Sequence, residues 1–149
     1  MSTTLTTRAE IEIARPADDV WAVVSDYATD TRWRKGIREM TPDRPGEPAV
    51  GTKVREVLEL GGRTYTTDST VTEVGPGHRY RFEGTGTSGV VRGGRTVRDG
   101  DGWGTTVFTY DVELEPDGVP RLAQPILGWW LGHSLRRDLG RLRTLIESP

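Results

Sequence analysis

The sequence predicts a single α+β domain in which one antiparallel sheet packs against a long C-terminal helix. Two patterns carry this prediction. About five alternating segments with glycine-rich turns lie between residues 52 and 115, and leucines recur at steps of three and four towards the C terminus. A length of 149 residues suits one domain, residues 1–149. Hydrophobic residues at 34% and charged residues at 28% are typical neither of a membrane protein nor of a disordered one.

Composition and charge exclude several classes of function. The 20 basic and 22 acidic residues leave a net charge of -2, which is too balanced for a general nucleic-acid binder. The absence of cysteine excludes disulfides, a thiol nucleophile and a thiolate metal site. The first twenty residues lack the apolar stretch of a secretory signal, and no apolar run is long enough for a membrane helix. We therefore expect a cytoplasmic protein without a transmembrane segment.

The N-terminal third predicts a strand, a helix and a second short helical segment. Residues 5–13 alternate between apolar and polar side chains, as a strand with one wet face does. Pro16 followed by two aspartates is typical of a first helical turn. The segment Tyr27 to Arg38 favours a short helix or turn leading to another strand, and residues 40–51 read as a loop.

The middle of the chain predicts an antiparallel meander. Gly61-Gly62 favours a two-residue hairpin turn, and Gly75-Pro76-Gly77 and residues 99–102 favour the later reversals. From about Leu122 to Glu147 the leucine stripe predicts one long helix, with Pro125 tolerated near its start. The stripe must lie on the sheet, because each element offers one apolar face.

This order of elements resembles the START-like, or SRPBCC, superfamily of polyketide cyclases, birch pollen allergen relatives and lipid-transfer domains. The resemblance spans essentially the whole chain and rests on Ile13-Ala14-Arg15-Pro16, Val20-Trp21, Ser25-Asp26-Tyr27, Trp33 and the Leu-rich close from Leu139 to Glu147. It implies a helix-grip fold: a curved antiparallel sheet wrapped around the C-terminal helix, with a hydrophobic cavity between them.

The inward face of the predicted strands mixes aromatic, hydroxyl and apolar side chains, which suits an apolar pocket with a few orienting polar groups. We therefore expect a small hydrophobic or aromatic ligand. The predicted ligand-binding residues are Trp33, Tyr65, Thr67, Ser69, Phe82, Arg95, Phe108, Tyr110, Leu127, Trp130 and Leu131.

Glu56 and Arg95 fall on the inward face, where an isolated charge is costly. One reading is structural: a bulge turns one or both outwards, or they form an ion pair. The other is functional: Arg95 holds an anionic or enolic ligand group, with Glu56 as its partner. Asp138 is a third candidate partner, unless it reaches solvent at the edge of the stripe. Arg95, Glu56 and Tyr110 are therefore the candidate catalytic residues.

The remaining motifs are weaker evidence of function. Residues 84–89 match G-x-G-x-x-G, but a strand follows them instead of a helix, so we read a hairpin loop. His78 and His133 lie in different elements without cysteine, so no metal site and no cofactor are predicted. Trp129 points away from the stripe, which suggests partial burial beneath the loop from Glu115 to Pro120 or beneath the early helices, a homodimer contact or a membrane-surface anchor.

Two functions follow from these features. The first is a non-catalytic carrier or sensor of a small hydrophobic molecule. The second is a polyketide cyclase or aromatase, which the resemblance implies and which needs a shaped cavity with one polar group to assist enolisation.

Overall fold

A seven-stranded antiparallel sheet and a long C-terminal helix form the protein. The computed structural model describes residues 4–87 and 89–148. The strands are β1 (Leu5–Ile13), β2 (Ile37–Pro42), β3 (Lys53–Leu60), β4 (Arg63–Gly75), β5 (Arg79–Gly86), β6 (Gly89–Asp99) and β7 (Thr106–Pro116). The helices are α1 (Ala17–Val24), α2 (Asp30–Trp33) and α3 (Gln124–Glu147), with 3₁₀ turns at Tyr27–Thr29 and Arg121–Ala123.

The sheet order explains how the helices are placed. The strands lie in the order β1-β7-β6-β5-β4-β3-β2, and every neighbouring pair is antiparallel. The first and second strands are therefore the two edges of the sheet. The segment with α1 and α2 crosses from one edge to the other, while α3 packs against β1 and α2. The sheet curls around α3, as the predicted helix-grip fold requires.

The turns follow the glycine signals. Leu60 pairs with Arg63 across Gly61 and Gly62, whose φ angles are 58° and 78°, so the predicted two-residue hairpin is confirmed. Such positive φ angles cost glycine little because it has no Cβ.

Two boundaries differ from the prediction. The expected loop at residues 40–51 begins later, since β2 continues to Pro42 by pairing with β3. The long helix begins at Gln124, because a 3₁₀ turn occupies Arg121–Ala123.

The solid core lies between the sheet, α1 and the C-terminal half of α3. Its fully buried aliphatic side chains among the described residues are Ile13, Val20, Val24, Val71, Leu139 and Leu142, each at most 1% exposed. Within the described ranges, none of the helices has the length and apolarity to cross a bilayer.

Candidate functional site

A cavity of about 160 Å³ lies between the curved sheet and α3. Its wall draws on all seven strands, on the segment that crosses between the sheet edges and on the inner face of α3. The lining residues are Thr7, Tyr27, Arg34, Lys35, Ile37, Met40, Glu56, Leu58, Thr67, Ser69, Phe82, Val91, Tyr110, Val112, Leu114, Trp130, Leu131, Ser134, Leu135 and Asp138. Most are apolar or hydroxylic, and the charged ones gather around Arg34. A hollow of this size holds about one aromatic ring, since an apolar cavity of about 150 Å³ can bind benzene.

Several residues expected at the site do line this cavity. Thr67, Ser69, Phe82, Tyr110, Trp130 and Leu131 all contribute to its wall, as does the candidate Glu56. They share the wall because the inward positions of adjacent antiparallel strands face the same side of the sheet.

Other expected residues lie elsewhere. Trp33 and Phe108 are fully buried and meet edge to face at a centroid distance of 6.4 Å, so they support the cavity from behind. Tyr65 sits next to the β3–β4 turn, and Leu127 lies in the first turn of α3. Neither lines the cavity. Alternation gives the face of a residue and not its depth along the strand.

Arg95 is buried in an ion pair that sequence reasoning assigned to the wrong partner. Its guanidinium is 1% exposed and donates to Asp30 at 3.0 and 2.5 Å and to the Val24 carbonyl at 3.0 Å. Asp30 is fully buried at the start of α2. The aspartate therefore replaces Glu56 as the partner, and the guanidinium lies outside the cavity wall.

An aromatic cage encloses this pair. The rings of Tyr27, Trp33, Tyr80 and Tyr110 have centroids 4.6 to 5.9 Å from Arg95 Cζ. Burial alone would lower the pKa of Arg95, but the carboxylate of Asp30 raises it well above its usual range. Arg95 is thus a permanent cation held within the core.

Arg34 links this buried pair to the cavity. Its guanidinium donates to Asp30 at 3.2 Å and to Glu56 at 3.0 Å. Burial would lower the pKa of Arg34, but the nearby charge of Glu56 raises it well above the usual value. Glu56 is therefore already oriented by a cation where it meets the cavity.

Asp138 projects from α3 into the same region and is 7% exposed, so it does not reach solvent at the edge of the stripe. Its carboxylate accepts from the Lys35 backbone N–H at 3.2 Å and from Arg141 at 2.7 Å. Burial raises the pKa of this carboxyl, against the opposing effect of those donors.

Tyr27 belongs to the cavity wall, although its hydroxyl is shielded from the space inside. It lines the cavity at 4% exposure, and its hydroxyl has no partner among the described residues. Burial raises its pKa to about 12, against the opposing effects of the Arg95 charge and of the neighbouring Tyr80 hydroxyl, so the phenol keeps its proton.

Sequence reasoning missed Tyr27, Asp30 and Arg34 as parts of the site. They lie in the segment that crosses the open side of the sheet, where no alternation reveals which side chain points inwards. One signal was available: a buried arginine on β6 needs a carboxylate partner.

The remaining motifs stay outside the site. Gly84 and Gly86 lie in β5 and Gly89 opens β6, so residues 84–89 span a hairpin, while Ser88 of that motif lies outside the described residues. Within the described ranges, no group of three His, Cys, Asp or Glu side chains could hold a metal ion. Trp129 is 65% exposed and stacks on His133 at a centroid distance of 5.2 Å.

Comparisons with known proteins agree with this architecture. A family model described as "Polyketide cyclase / dehydrase and lipid transport" matches residues 4–147. None of the curated proteins compared with the chain matches it.

Three solved structures illustrate the fold. A START superfamily protein from Mycobacterium smegmatis is 18% identical, with 95% of this chain and 97% of that chain covered and a TM-score of 0.78. The Zhui aromatase/cyclase from Streptomyces sp. R1128 is 15% identical over 97% and 94%, also with a TM-score of 0.78.

The third is the di-domain ARO/CYC BexL from the BE-7585A biosynthetic pathway, 18% identical with a TM-score of 0.76. The match covers 98% of this chain and 51% of that one, so the chain spans about half its length. At these identities the likeness shows the fold.

Proposed function

The chain belongs to the polyketide cyclase/dehydrase and lipid transport family, and on that premise we propose that its cavity binds a small, largely apolar aromatic molecule as a carrier or sensor. The observation that carries the proposal is the cavity of about 160 Å³ beneath α3, with walls from every strand. Apolar walls with a few fixed polar groups are the usual composition of a small-molecule site.

The pairing of the charged groups supports a binding function without catalysis. Arg95 is engaged by Asp30, and Arg34 by Asp30 and Glu56. Because both guanidiniums are already neutralised by carboxylates, they would stabilise an anionic reaction intermediate only weakly. These groups instead fix the inner end of the cavity, which favours a preformed pocket over a reactive one.

Blocking the cavity tests the binding function. We expect Thr67→Phe to fill the space and abolish binding of fluorinated benzenes measured by ¹⁹F NMR. Thr64→Phe is the matched control, because Thr64 is an exposed residue of the same strand. A native mass spectrum of the purified protein would show whether a small molecule co-purifies. Equal binding by both variants would contradict the proposal.

Glu56 favours a second candidate function, that of a cyclase. Its carboxylate lines the cavity, is 23% exposed and is oriented by Arg34 at 3.0 Å. A carboxylate held beside an apolar cavity can remove a proton next to a ketone, the step that begins an aldol cyclisation. Tyr110, on the same wall, can donate a hydrogen bond to the ketone oxygen.

A small diketone tests this candidate. Heptane-2,6-dione closes by forming one carbon–carbon bond and losing water, which gives 3-methylcyclohex-2-enone. A cyclase would accelerate this reaction, and Glu56→Gln would remove the acceleration while leaving binding intact. Glu59→Gln is the control, since Glu59 is an exposed residue on the same strand. If the unmodified protein does not accelerate the reaction, the cyclase candidate is wrong and the carrier function remains.

A cytoplasmic location, a homodimer contact through Trp129 and the lack of a nucleic-acid partner stay predictions from the sequence. Sedimentation velocity of the unmodified protein and of Trp129→Ser tests the homodimer.

A further inference from the structure

We propose that the outward face of α3 binds the surface of a bilayer that contains anionic lipids. This face has an apolar end and a basic end, formed by Leu122, Ile126 and Trp129 and by Arg136, Arg137 and Arg143. The inference concerns the outside of the protein and goes beyond the proposed function, because it does not depend on what the cavity binds.

The apolar end of this face is exposed although its side chains are large. Leu122, in the 3₁₀ turn that leads into α3, is 93% exposed, while Ile126 is 69% and Trp129 is 65% exposed. Their spacing of four and three residues places them on one side of the helix. The Trp129 ring stacks on His133, one turn further along the same side. A cluster of exposed apolar side chains marks a surface that an apolar partner covers.

The other end of the face is cationic. Arg136 and Arg137 follow Trp129 by about two turns, and Arg143 follows Arg136 by about two more. All three arginines are exposed, and among the described residues none of them forms an ion pair with a carboxylate. A guanidinium donates hydrogen bonds and accepts none, so these side chains fit a partner that offers anionic acceptors.

The carboxylates of α3 do not neutralise these arginines. The helix contains two, Asp138 and Glu147. Asp138 is buried on the inner face, where Arg141 holds it at 2.7 Å, and the Glu147 carboxylate accepts from the Ala14 N–H at 2.9 Å. Arginines on the strands, in contrast, mostly have carboxylate partners. Three uncompensated positive charges therefore stand together on one face of a chain whose net charge is -2.

A bilayer suits both ends of the face better than a second copy of the chain does. A second copy would offer the arginines only other arginines or apolar side chains, so their charges would stay unbalanced. Lipid phosphates are anionic acceptors, and the acyl region beneath them receives leucine and isoleucine side chains. Tryptophan favours the boundary between these two layers, because its ring is apolar and its N–H is polar.

The dimensions of the face match the layers of a membrane surface. The apolar end, from Leu122 to Trp129, extends over about 10 Å at about 1.5 Å per residue, which is about the depth that interfacial helices reach. Arg136 and Arg137 lie about 10 Å further along the axis. In a tilted helix their guanidiniums therefore meet the phosphates while the apolar end lies below them. Lipids also rearrange around a row of protruding side chains, whereas a protein partner would need a groove of matching shape.

Co-sedimentation of the full chain with vesicles tests the proposal. The vesicles contain phosphatidylcholine alone, or phosphatidylcholine with one third phosphatidylglycerol. We expect the protein to bind the anionic vesicles and to bind phosphatidylcholine alone at least roughly tenfold more weakly. Binding should also weaken when the salt concentration rises from about 0.1 to about 1 M, because the Debye length falls from about 10 to about 3 Å.

Two variants remove the two ends of the face separately. Trp129→Ser should weaken binding to the anionic vesicles roughly tenfold, the effect expected for one apolar side chain that is no longer buried. Arg136→Gln/Arg137→Gln should weaken it roughly thirtyfold, the effect expected for two basic residues at an anionic surface.

The controls match these variants in residue type and in charge. Trp103→Ser removes a fully exposed tryptophan from the β6–β7 turn, which lies by the opposite end of α3. Lys53→Gln/Arg63→Gln removes two exposed positive charges from β3 and β4, on the half of the sheet away from β1. Both controls should bind as the unmodified protein does. Circular dichroism melting establishes that all four variants fold, as expected for changes at exposed positions.

The outcomes that overturn the inference are distinct from those that concern the cavity. Absence of binding to the anionic vesicles overturns it and leaves an acidic protein surface as the occupant of the face. Equal binding to both kinds of vesicle, or controls that weaken binding as much as their matched variants, also overturns it. So does a dimer in sedimentation velocity that Trp129→Ser dissociates, because a second copy then covers the face. None of these results changes the binding of fluorinated benzenes, which tests the cavity.

Discussion

Removal of the Asp30 charge should destabilise the protein more than removal of its partner Arg95. Both side chains are at most 1% exposed, and they share two hydrogen bonds. In Asp30→Asn, Arg95 loses the carboxylate that balances its charge and keeps only neutral acceptors among the described residues: the amide oxygen of the new side chain, the Val24 carbonyl and the Tyr110 hydroxyl. Stranding a buried charge in this way costs about 3 to 5 kcal/mol. For a domain of this size, that lowers Tm by about 6 to 20 °C.

The opposite change leaves a partner behind. In Arg95→Met, Asp30 still accepts from Arg34 at 3.2 Å, so its charge remains compensated. We therefore expect a smaller loss of stability. In the double variant Asp30→Asn/Arg95→Met no guanidinium is stranded in the cage, and it should be more stable than Asp30→Asn alone.

Urea unfolding at pH 7, followed by circular dichroism, measures each free energy of unfolding. Asp68→Asn is the control: Asp68 pairs with Arg55 at 2.8 Å on the exposed side of the sheet, and its loss should change little. A larger loss for Arg95→Met than for Asp30→Asn would refute the reasoning. So would a double variant no more stable than Asp30→Asn.

Three further predictions concern buried positions of the structure. Because burial raises the pKa of Asp138 above its ordinary 3.8, stability should fall as pH rises from that value through the native pKa. Asp138→Asn should flatten this slope in urea midpoints measured from pH 4 to 7, and an unchanged slope would contradict the assignment. Leu142→Ala should cost about 2 to 5 kcal/mol, since Leu142 is fully buried, and a loss under 1 kcal/mol would show that the core is not packed there. A Cβ at Gly93 would lie 2.4 Å from the Asp111 carbonyl oxygen and 2.8 Å from Phe82 Cζ. Gly93→Ala should therefore lower stability by roughly 1 to 3 kcal/mol in the same urea assay, and unchanged stability would mean that the strands separate freely.

The fold could be predicted because its signals are local. Alternation, the Gly61-Gly62 turn and the leucine stripe each act over a few residues, and consecutive strands of a meander pair with their neighbours. The pairing of β1 with β7 joins distant parts of the chain, from Leu5 opposite Leu114 to Ile13 opposite Thr106. Pattern alone does not give that pairing.

The site could be predicted only in part, because its polar partners come from irregular segments. Strand alternation placed Thr67, Ser69 and Tyr110 on the correct face. It could not show that Asp30, at the start of α2, forms an ion pair with Arg95 and so occupies the guanidinium that was expected to bind the ligand. A charge on an inward face predicts a partner, but which carboxylate serves is decided by the path of the backbone.

The hollow itself follows from how α3 rests on the sheet. At Gly132 an added Cβ would lie 3.2 Å from Thr7 Oγ1, and at Gly128 it would lie 3.7 Å from Leu5 Cδ2. The helix therefore lies close to the edge strand β1 at Gly132, whereas the contact at Gly128 is of ordinary van der Waals length and a Cβ at Gly140 would have no neighbour within 4 Å. The sheet is curved, so the strands beyond β1 lie further from the helix than a flat sheet would. Trp130 and Leu131 of α3 therefore face the cavity instead of packing directly on those strands. Gly132 thus lets α3 lie close to Thr7 of β1 although it weakens the helix on its own, and the cavity opens between the helix and the curved sheet.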